Sequence, residues 1–61
     1  MTSDDLRAWQ AHMGYTYDTA SAALGMSRRA YADLVNSHTP IDRRTALACA
    51  ALAAGLAGWQ A

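Results

Sequence analysis

Glycines and helix-capping residues divide this chain into short segments. Their spacing limits the length of any helix that the chain can form. Gly14 and Gly25 each end a stretch of helical spacing, and a small polar residue follows each of them two positions later, Thr16 and Ser27. Small polar side chains cap the N-termini of helices, and glycine adopts the left-handed conformation that ends a helix. The pattern therefore predicts short helices separated by connections of about two or three residues.

Four helices are predicted on this basis. Their expected bounds are residues 4–13, 17–24, 28–35 and 43–54, and their expected N-caps are Ser3, Thr16, Ser27 and Asp42. Gly55 and Gly58 are expected to fray the end of the fourth helix. No segment has the alternating pattern of a strand, and no repeat or linker divides the chain. We expect one all-α domain over residues 1–61, with four helices or five if a short C-terminal turn forms.

Helical spacing also predicts which side chains face the core. In the first three helices these are Leu6, Trp9, Gln10, Met13, Ala20, Ala23, Leu24, Tyr31 and Leu34. The fourth helix has two apolar stripes, one made of Thr45, Ala48, Leu52 and Leu56 and the other of Leu47, Ala50, Ala51 and Ala54. Its small Cys49 is also expected inside.

The size of the side chains limits this core. Fifteen of the 61 residues are alanine, and only 17 of the hydrophobic residues are larger. A chain this short buries only about 60% of the surface that it exposes when unfolded, so its core is marginal without a disulfide, a metal or a partner subunit. Cys49 is the one cysteine and cannot form a disulfide within the chain. We therefore expect a homodimer.

The distribution of charge is more informative than its sum. Five arginines balance five aspartates, without lysine or glutamate. Residues 1–18 hold one arginine and three aspartates, a net charge of −2, whereas residues 19–61 hold four arginines and two aspartates, a net charge of +2. Those four arginines form two adjacent pairs at the starts of the third and fourth helices, Arg28 with Arg29 and Arg43 with Arg44.

Export, membrane insertion and catalysis are not expected. The N-terminus is acidic where a secretory signal is basic, and the apolar run 45–59 is shorter than the roughly 18 residues that a spanning helix needs. His12, His38 and Cys49 lack the spacing of zinc ligands, and no phosphate-binding loop or nucleophile motif occurs. We expect a cytoplasmic protein that is not an enzyme and binds no metal, cofactor or small-molecule ligand.

The stretch 16–36 is the most informative part of the sequence. Its two helices are so close in sequence that they must cross at about 90 to 120°, as in a helix-turn-helix motif. Such a corner needs a positive φ angle, which Gly25 supplies, and a small residue at the crossing, which Ser21 supplies. The side chains with inward spacing at the corner are Leu24, Met26, Tyr31 and Leu34.

These residues resemble the Cro and phage-repressor helix-turn-helix proteins, also called the Xre-like family. The resemblance lies in a threonine-led second helix, a Leu-Gly-hydrophobic-Ser turn at residues 24–27 and the helix that follows, and it extends over about residues 6–54. It implies a lambda-repressor-like fold that binds DNA through its third helix. The chain departs from the family at Tyr17, usually glutamine, and at Ser21, often alanine. Gln10 and Val35 stand where many members form an arginine–glutamate salt bridge.

The resemblance also implies how DNA would be contacted. The start of the third helix would enter the major groove, where arginine is the natural bidentate donor to guanine. The expected base contacts are Arg28, Arg29 and Asp33, although Asp33 could instead orient Arg29, four residues before it. The expected contacts to the DNA backbone are Thr16, through its N–H and hydroxyl, Tyr17, Ser27, Asn36, Arg43 and, more weakly, Arg44.

The function implied is that of a transcriptional regulator, a repressor or autorepressor of the phage or mobile-element type. It would bind a palindromic operator in double-stranded DNA as a homodimer. Because the helix that commonly forms the family's dimer is missing, we expect dimerisation through Leu52, Leu56 and Trp59, unless Trp59 folds back beside Trp9. The alternative is a small protein-binding module on a degenerate helix-turn-helix scaffold, for which the net charge of zero is the main argument.

Overall fold

A computed structural model describes residues 1–56 of the chain, in which all regular secondary structure is helical. The helices are α1, Ser3–Met13; α2, Tyr17–Leu24; α3, Arg28–Val35; and α4, Arg43–Ala53. The all-α prediction with four helices is therefore confirmed for this part of the chain. None of these helices has both the length and the apolar character needed to span a membrane. Gly58, Trp59 and the predicted fifth turn lie outside the described residues.

The N-cap of α1 is Thr2, and the prediction of Ser3 is wrong. The Thr2 Oγ1 accepts a hydrogen bond from the Asp5 N–H at 3.1 Å, and the Thr2 N–H donates to Asp5 Oδ2 at 2.9 Å. This reciprocal arrangement needs an acceptor side chain three residues after the cap, which Thr2 has and Ser3 lacks. The hydrogen bond from the Thr2 backbone N–H, and after it hydrogen bonding from the Thr2 side chain, hold the pKa of the Asp5 carboxyl below its usual value.

The other three helices begin at the predicted caps. The Ser27 Oγ accepts from the Ala30 N–H at 3.1 Å, and an Asp42 carboxylate oxygen accepts from the Thr45 N–H at 2.8 Å. Hydrogen bonding from Thr45 lowers the pKa of the Asp42 carboxyl. Thr16 caps α2 in the same way. Each helix start is therefore determined by a side chain within its own segment.

The end of α4 is closed rather than frayed at Gly55. The helix ends at Ala53, one residue before the predicted limit, and Gly55 follows with a φ angle of 79°. The Gly55 N–H donates to the Leu52 carbonyl at 3.0 Å, and the Leu56 N–H donates to the Ala51 carbonyl at 2.9 Å. These two bonds satisfy carbonyls that the helix end would otherwise leave without partners.

Residues 25–27 form the connection between α2 and α3. Gly25 has a φ angle of 70° and a ψ angle of 31°, as the predicted corner requires. Its N–H donates to the Ala22 carbonyl at 3.1 Å, and the Met26 N–H donates to the Ser21 carbonyl at 3.0 Å. This pair of bonds ends α2 within one residue, so α3 can begin at once in a new direction.

The core lies where the four helices meet. Its buried hydrophobic residues are Leu6, Trp9, Ala20, Tyr31, Leu34, Val35 and Cys49, and its half-buried ones are Met13, Tyr15, Tyr17, Leu24, Met26, Ile41 and Leu52. The Trp9 indole N–H donates to the Cys49 carbonyl at 3.0 Å, which joins α1 to α4 inside the core. Burial raises the pKa of the Cys49 thiol, as expected for an inert core cysteine.

Two of the predicted faces differ from the structure. Ala23 is exposed, because it lies on the side of α2 opposite the buried Ser21, two residues before it. In α4 the buried Cys49 defines the inner side, with Thr45, Ala48 and Leu52 half-buried beside it. Most of the second stripe therefore faces outward: Leu47 is 57% exposed, Ala50 and Ala54 are also exposed, and Ala51 is half-buried. Leu56, expected on the inner stripe, is 61% exposed because the chain leaves the helix before it.

We predict that replacing Gly25 with valine destabilises the fold by about 1 kcal/mol or more. A side chain added at Gly25 would meet no atom within 4 Å, so the cost comes from the positive φ angle alone. In a domain of this size such a loss lowers the melting temperature by about 4 to 8 °C per kcal/mol.

Gly25→Asn is the matched control for this measurement, because asparagine tolerates the left-handed region better than other residues with a Cβ. Thermal unfolding followed by circular dichroism should therefore place Gly25→Asn between the unmodified protein and Gly25→Val. Equal melting temperatures for the two variants would contradict backbone strain as the cause.

Candidate nucleic-acid interface

α3 has one buried side and one exposed side. Tyr31, Leu34 and Val35 face the core, as Tyr31 and Leu34 were predicted to do. Arg29 and Asp33 are four residues apart, so they lie on one face, opposite these buried residues. Arg29 is exposed, and the Asp33 side chain is 43% exposed. Together with the exposed Arg28, these two residues form what we call the α3 surface.

Arg28 leans from α3 toward the start of α2. Its Nε lies 3.3 Å from the Asp18 Oδ1, and its guanidinium carbon lies 5.9 Å from the centre of the Tyr17 ring. The Tyr17 ring in turn packs against the buried Tyr31 ring, edge to face, with centroids 5.5 Å apart. The two predicted base-contacting arginines therefore differ, because Arg28 is held from the side while Arg29 has no ion-pair partner among residues 1–56.

Thr16 is already engaged in capping α2. The Thr16 N–H donates to the Thr19 Oγ1 at 2.8 Å, and the Thr19 N–H donates to the Thr16 Oγ1 at 3.2 Å. The Thr16 N–H therefore already has a partner in the capping box, and Thr16 stays a predicted contact to the DNA backbone. The N–H groups of Tyr17 and Asp18 lie in the first turn, where a helix provides no acceptor of its own.

Asp33 is paired with His38 and not with Arg29. The Asp33 Oδ1 lies 3.8 Å from the His38 Nδ1, and the His38 N–H donates to the Asp33 carbonyl at 2.8 Å. Ser37, with a φ angle of 62°, turns the chain back over the end of α3 and brings His38 to this position. The alternative in which Asp33 orients Arg29 is therefore not seen in the structure, where His38 lies beside Asp33 at the edge of the α3 surface.

The remaining predicted backbone contacts are exposed at the two ends of this region. Ser27 and Asn36 flank α3 as its N-cap and C-cap. Arg43 opens α4, and the segment before it borders a shallow hollow beside α3 that Ala30, Asp33 and Asp42 help to line. Arg44 has a 95% exposed side chain whose Nε lies 3.8 Å from an Asp42 carboxylate oxygen. Of the two arginines in α4, only Arg44 forms an ion pair within residues 1–56.

Two side chains from α1 hold α3 in place. The Arg7 Nη2 donates to the Val35 carbonyl at 3.1 Å, at the C-terminal end of α3. A positive charge at this end also interacts favourably with the helix dipole. The Tyr31 hydroxyl donates to the Gln10 Oε1 at 2.7 Å. The sequence placed Gln10 on the inner face of α1 and, with Val35, at the position of a missing salt bridge, but neither this hydrogen bond nor the role of Arg7 was predicted. The available signal was the spacing of Arg7 and Gln10, which places both on one face of α1.

No site for a metal is seen in the part of the chain that the structure describes. Within residues 1–56, no three His, Cys, Asp or Glu side chains come close enough together to hold an ion. Comparison of the chain with protein-family models, curated proteins and solved structures finds no match.

We predict that Arg7→Ala lowers stability by about 1 kcal/mol, because the Val35 carbonyl loses a charged donor at a helix end. The melting temperature should fall by about 4 to 8 °C. Arg44→Ala is the matched control, since it removes the same charge from a side chain that is 95% exposed. Thermal unfolding that affects both variants equally would contradict a role for Arg7 in holding α3.

Proposed function

We propose that this protein is a sequence-specific DNA-binding regulator that places α3 in the major groove of double-stranded DNA. The observation that carries the proposal is the α3 surface itself. Two arginines stand in the first turn of a helix whose opposite side is anchored in the core, directly after a tight helix-turn-helix corner. The resemblance to the Cro and phage-repressor family supports the same proposal.

The dimensions of α3 agree with this placement. An α-helix with its side chains is about 10 to 12 Å in diameter, so the major groove, about 12 Å wide, admits it. The exposed Arg29 points away from the core and would meet the edges of the bases. Arg43 and Asn36 lie beyond the ends of α3 and would meet the sugar-phosphate backbone, which positions the protein without distinguishing sequences.

A regulator of this kind would act by steric exclusion. A homodimer bound to a palindromic operator would block access of the polymerase to the promoter. We propose that the protein acts in this way in the cytoplasm, as a repressor or autorepressor of the phage or mobile-element type. Two symmetric copies of α3 would require half-sites about 34 Å apart, or about ten base pairs from centre to centre.

The structure narrows the choice of dimer contacts. Leu52 is half-buried against its own core and contributes less to a partner than expected. Leu56 is 61% exposed and remains a candidate, while Trp59 lies outside the described residues. We propose that the end of α4 and the tail form the homodimer, since a core this small leaves a large exposed leucine without cover.

We predict that Arg29→Ala weakens binding to the preferred operator, selected from a randomised duplex library, by about 1 to 3 kcal/mol. It should also relax the preference at one base pair in each half-site. Arg28→Ala should lower selectivity in the same way.

Arg43→Ala is the matched control, because it removes the same charge from a phosphate contact. It should weaken binding to all DNA similarly and reduce the salt slope by about one unit. Titrations on operator and mixed-sequence duplexes measure both effects. An unchanged base preference in Arg28→Ala and Arg29→Ala would refute the role of α3, and an absent salt slope in the unmodified protein would favour the protein-binding module.

The dimer proposal predicts that Leu56→Asp and Trp59→Ala convert the protein to a monomer at micromolar concentration, because each removes apolar area from the contact. Leu47→Asp is the control, since Leu47 is 57% exposed on the outer side of α4. Sedimentation equilibrium distinguishes the two surfaces. Loss of the dimer in Leu47→Asp alone would place the interface on the outer face of α4.

A further inference from the structure

The contact between Arg28 and Asp18 leaves a particular part of the arginine available. The Asp18 carboxylate lies against the Nε, at 3.3 Å, and not against the two terminal nitrogens. The Tyr17 ring lies beside the same guanidinium. An arginine held through its Nε keeps both terminal NH2 groups for a second partner, and these form the planar fork that matches a pair of acceptors.

The pair also changes what kind of acceptor this fork prefers. Arg28 and Asp18 together carry no net charge, so the pair attracts an anionic phosphate much less than a lone arginine would. A guanine edge is uncharged and presents two acceptors, O6 and N7, in the geometry of the fork. The carboxylate therefore disfavours contacts to the DNA backbone and leaves base contacts largely unaffected.

We propose that Asp18 is a positioning residue that fixes Arg28 for bidentate binding to a guanine edge and prevents its use as a general phosphate contact. This inference rests on the proposed function, because it assigns a cause to the selectivity of the same surface. Asp18 makes no base contact itself, and its effect is transmitted through Arg28. Arg29, which has no such partner within residues 1–56, is not subject to this restriction.

Asp18→Asn tests the proposal, because the substitution removes the charge and keeps the size of the side chain. Binding to a mixed-sequence duplex at low salt should tighten about fivefold, since one positive charge is released. The slope of log affinity against log salt should steepen by about 0.9, the value for one added phosphate contact. Binding to the selected operator should weaken about two- to tenfold, because Arg28 must now be ordered on binding.

Asp4→Asn is the matched control. Asp4 is the second residue of α1, as Asp18 is the second residue of α2, so both substitutions remove one exposed negative charge from the same position in a helix. Both variants should lose a similar amount of stability, because each loses the favourable interaction of a negative charge with the N-terminal end of a helix. Their melting temperatures will show this. Only Asp18→Asn should steepen the salt slope and reduce the preference for the operator over the mixed duplex.

Three results are decisive. If Asp18→Asn and Asp4→Asn give the same salt slope and the same operator preference, the role of Asp18 is refuted while the proposed function stands. In the background of Arg28→Ala, Asp18→Asn should behave as Asp4→Asn does, and a persisting difference would also refute transmission through Arg28. If the unmodified protein shows neither a salt slope nor an enriched sequence in the selection, both the proposed function and this inference are overturned.

Discussion

The orientation of the α3 surface depends on the contacts of the buried Tyr31. Its side chain is fully buried, its ring packs against Tyr17 of α2, and its hydroxyl donates to Gln10 of α1. Burial raises its pKa to about 12, so the hydroxyl keeps its proton and its role as a donor at physiological pH. Since these contacts tie one side chain of α3 to two other helices, they oppose rotation of α3 about its axis. That rotation is what decides whether Arg29 faces solvent.

The corner between α2 and α3 tolerates a buried polar residue because the hydrogen bond of that residue is made within α2. Ser21 is buried, and its hydroxyl donates to the Asp18 carbonyl at 2.9 Å, one turn earlier in α2. A buried hydroxyl without a partner would be costly, but here its hydrogen bond leaves the other helix undisturbed. Serine at this position is therefore compatible with close packing between α2 and α3.

Local features of the sequence predicted most of the fold, whereas contacts between helices were not predictable. Thr16, Ser27 and Asp42 act within their own segments, and Gly25 needs only its own φ angle, so each was evident from nearby residues. The choice between Thr2 and Ser3 depended on which of them has a carboxylate three residues later. Periodicity identifies the faces of one helix, but it does not specify how that helix is oriented against another.

The same distinction applies to the candidate site. The sequence places Arg28 and Arg29 side by side and makes them appear equivalent. The structure separates them, because the crossing of α2 and α3 brings Asp18 to one arginine only. Likewise, Asp33 and Arg29 have the spacing of a helical ion pair, yet the positive φ angle of Ser37 brings His38 to Asp33 instead. A backbone conformation outside the helix thus determines which side chain lies beside the Asp33 carboxylate.

The small core and the absence of net charge together limit how the proposed regulator would obtain its affinity for DNA. A protein with no excess positive charge gains little general attraction to DNA, so its affinity must come from a few contacts with good geometry. Such contacts require α3 to be held rigidly. Arg7 and Gln10 of α1 hydrogen-bond to α3, and the Trp9–Cys49 hydrogen bond joins α1 in turn to α4. A dimer formed at the end of α4 would then transmit its symmetry to α3 through the core. The position of the interface, and not the total charge, would set the spacing of the half-sites.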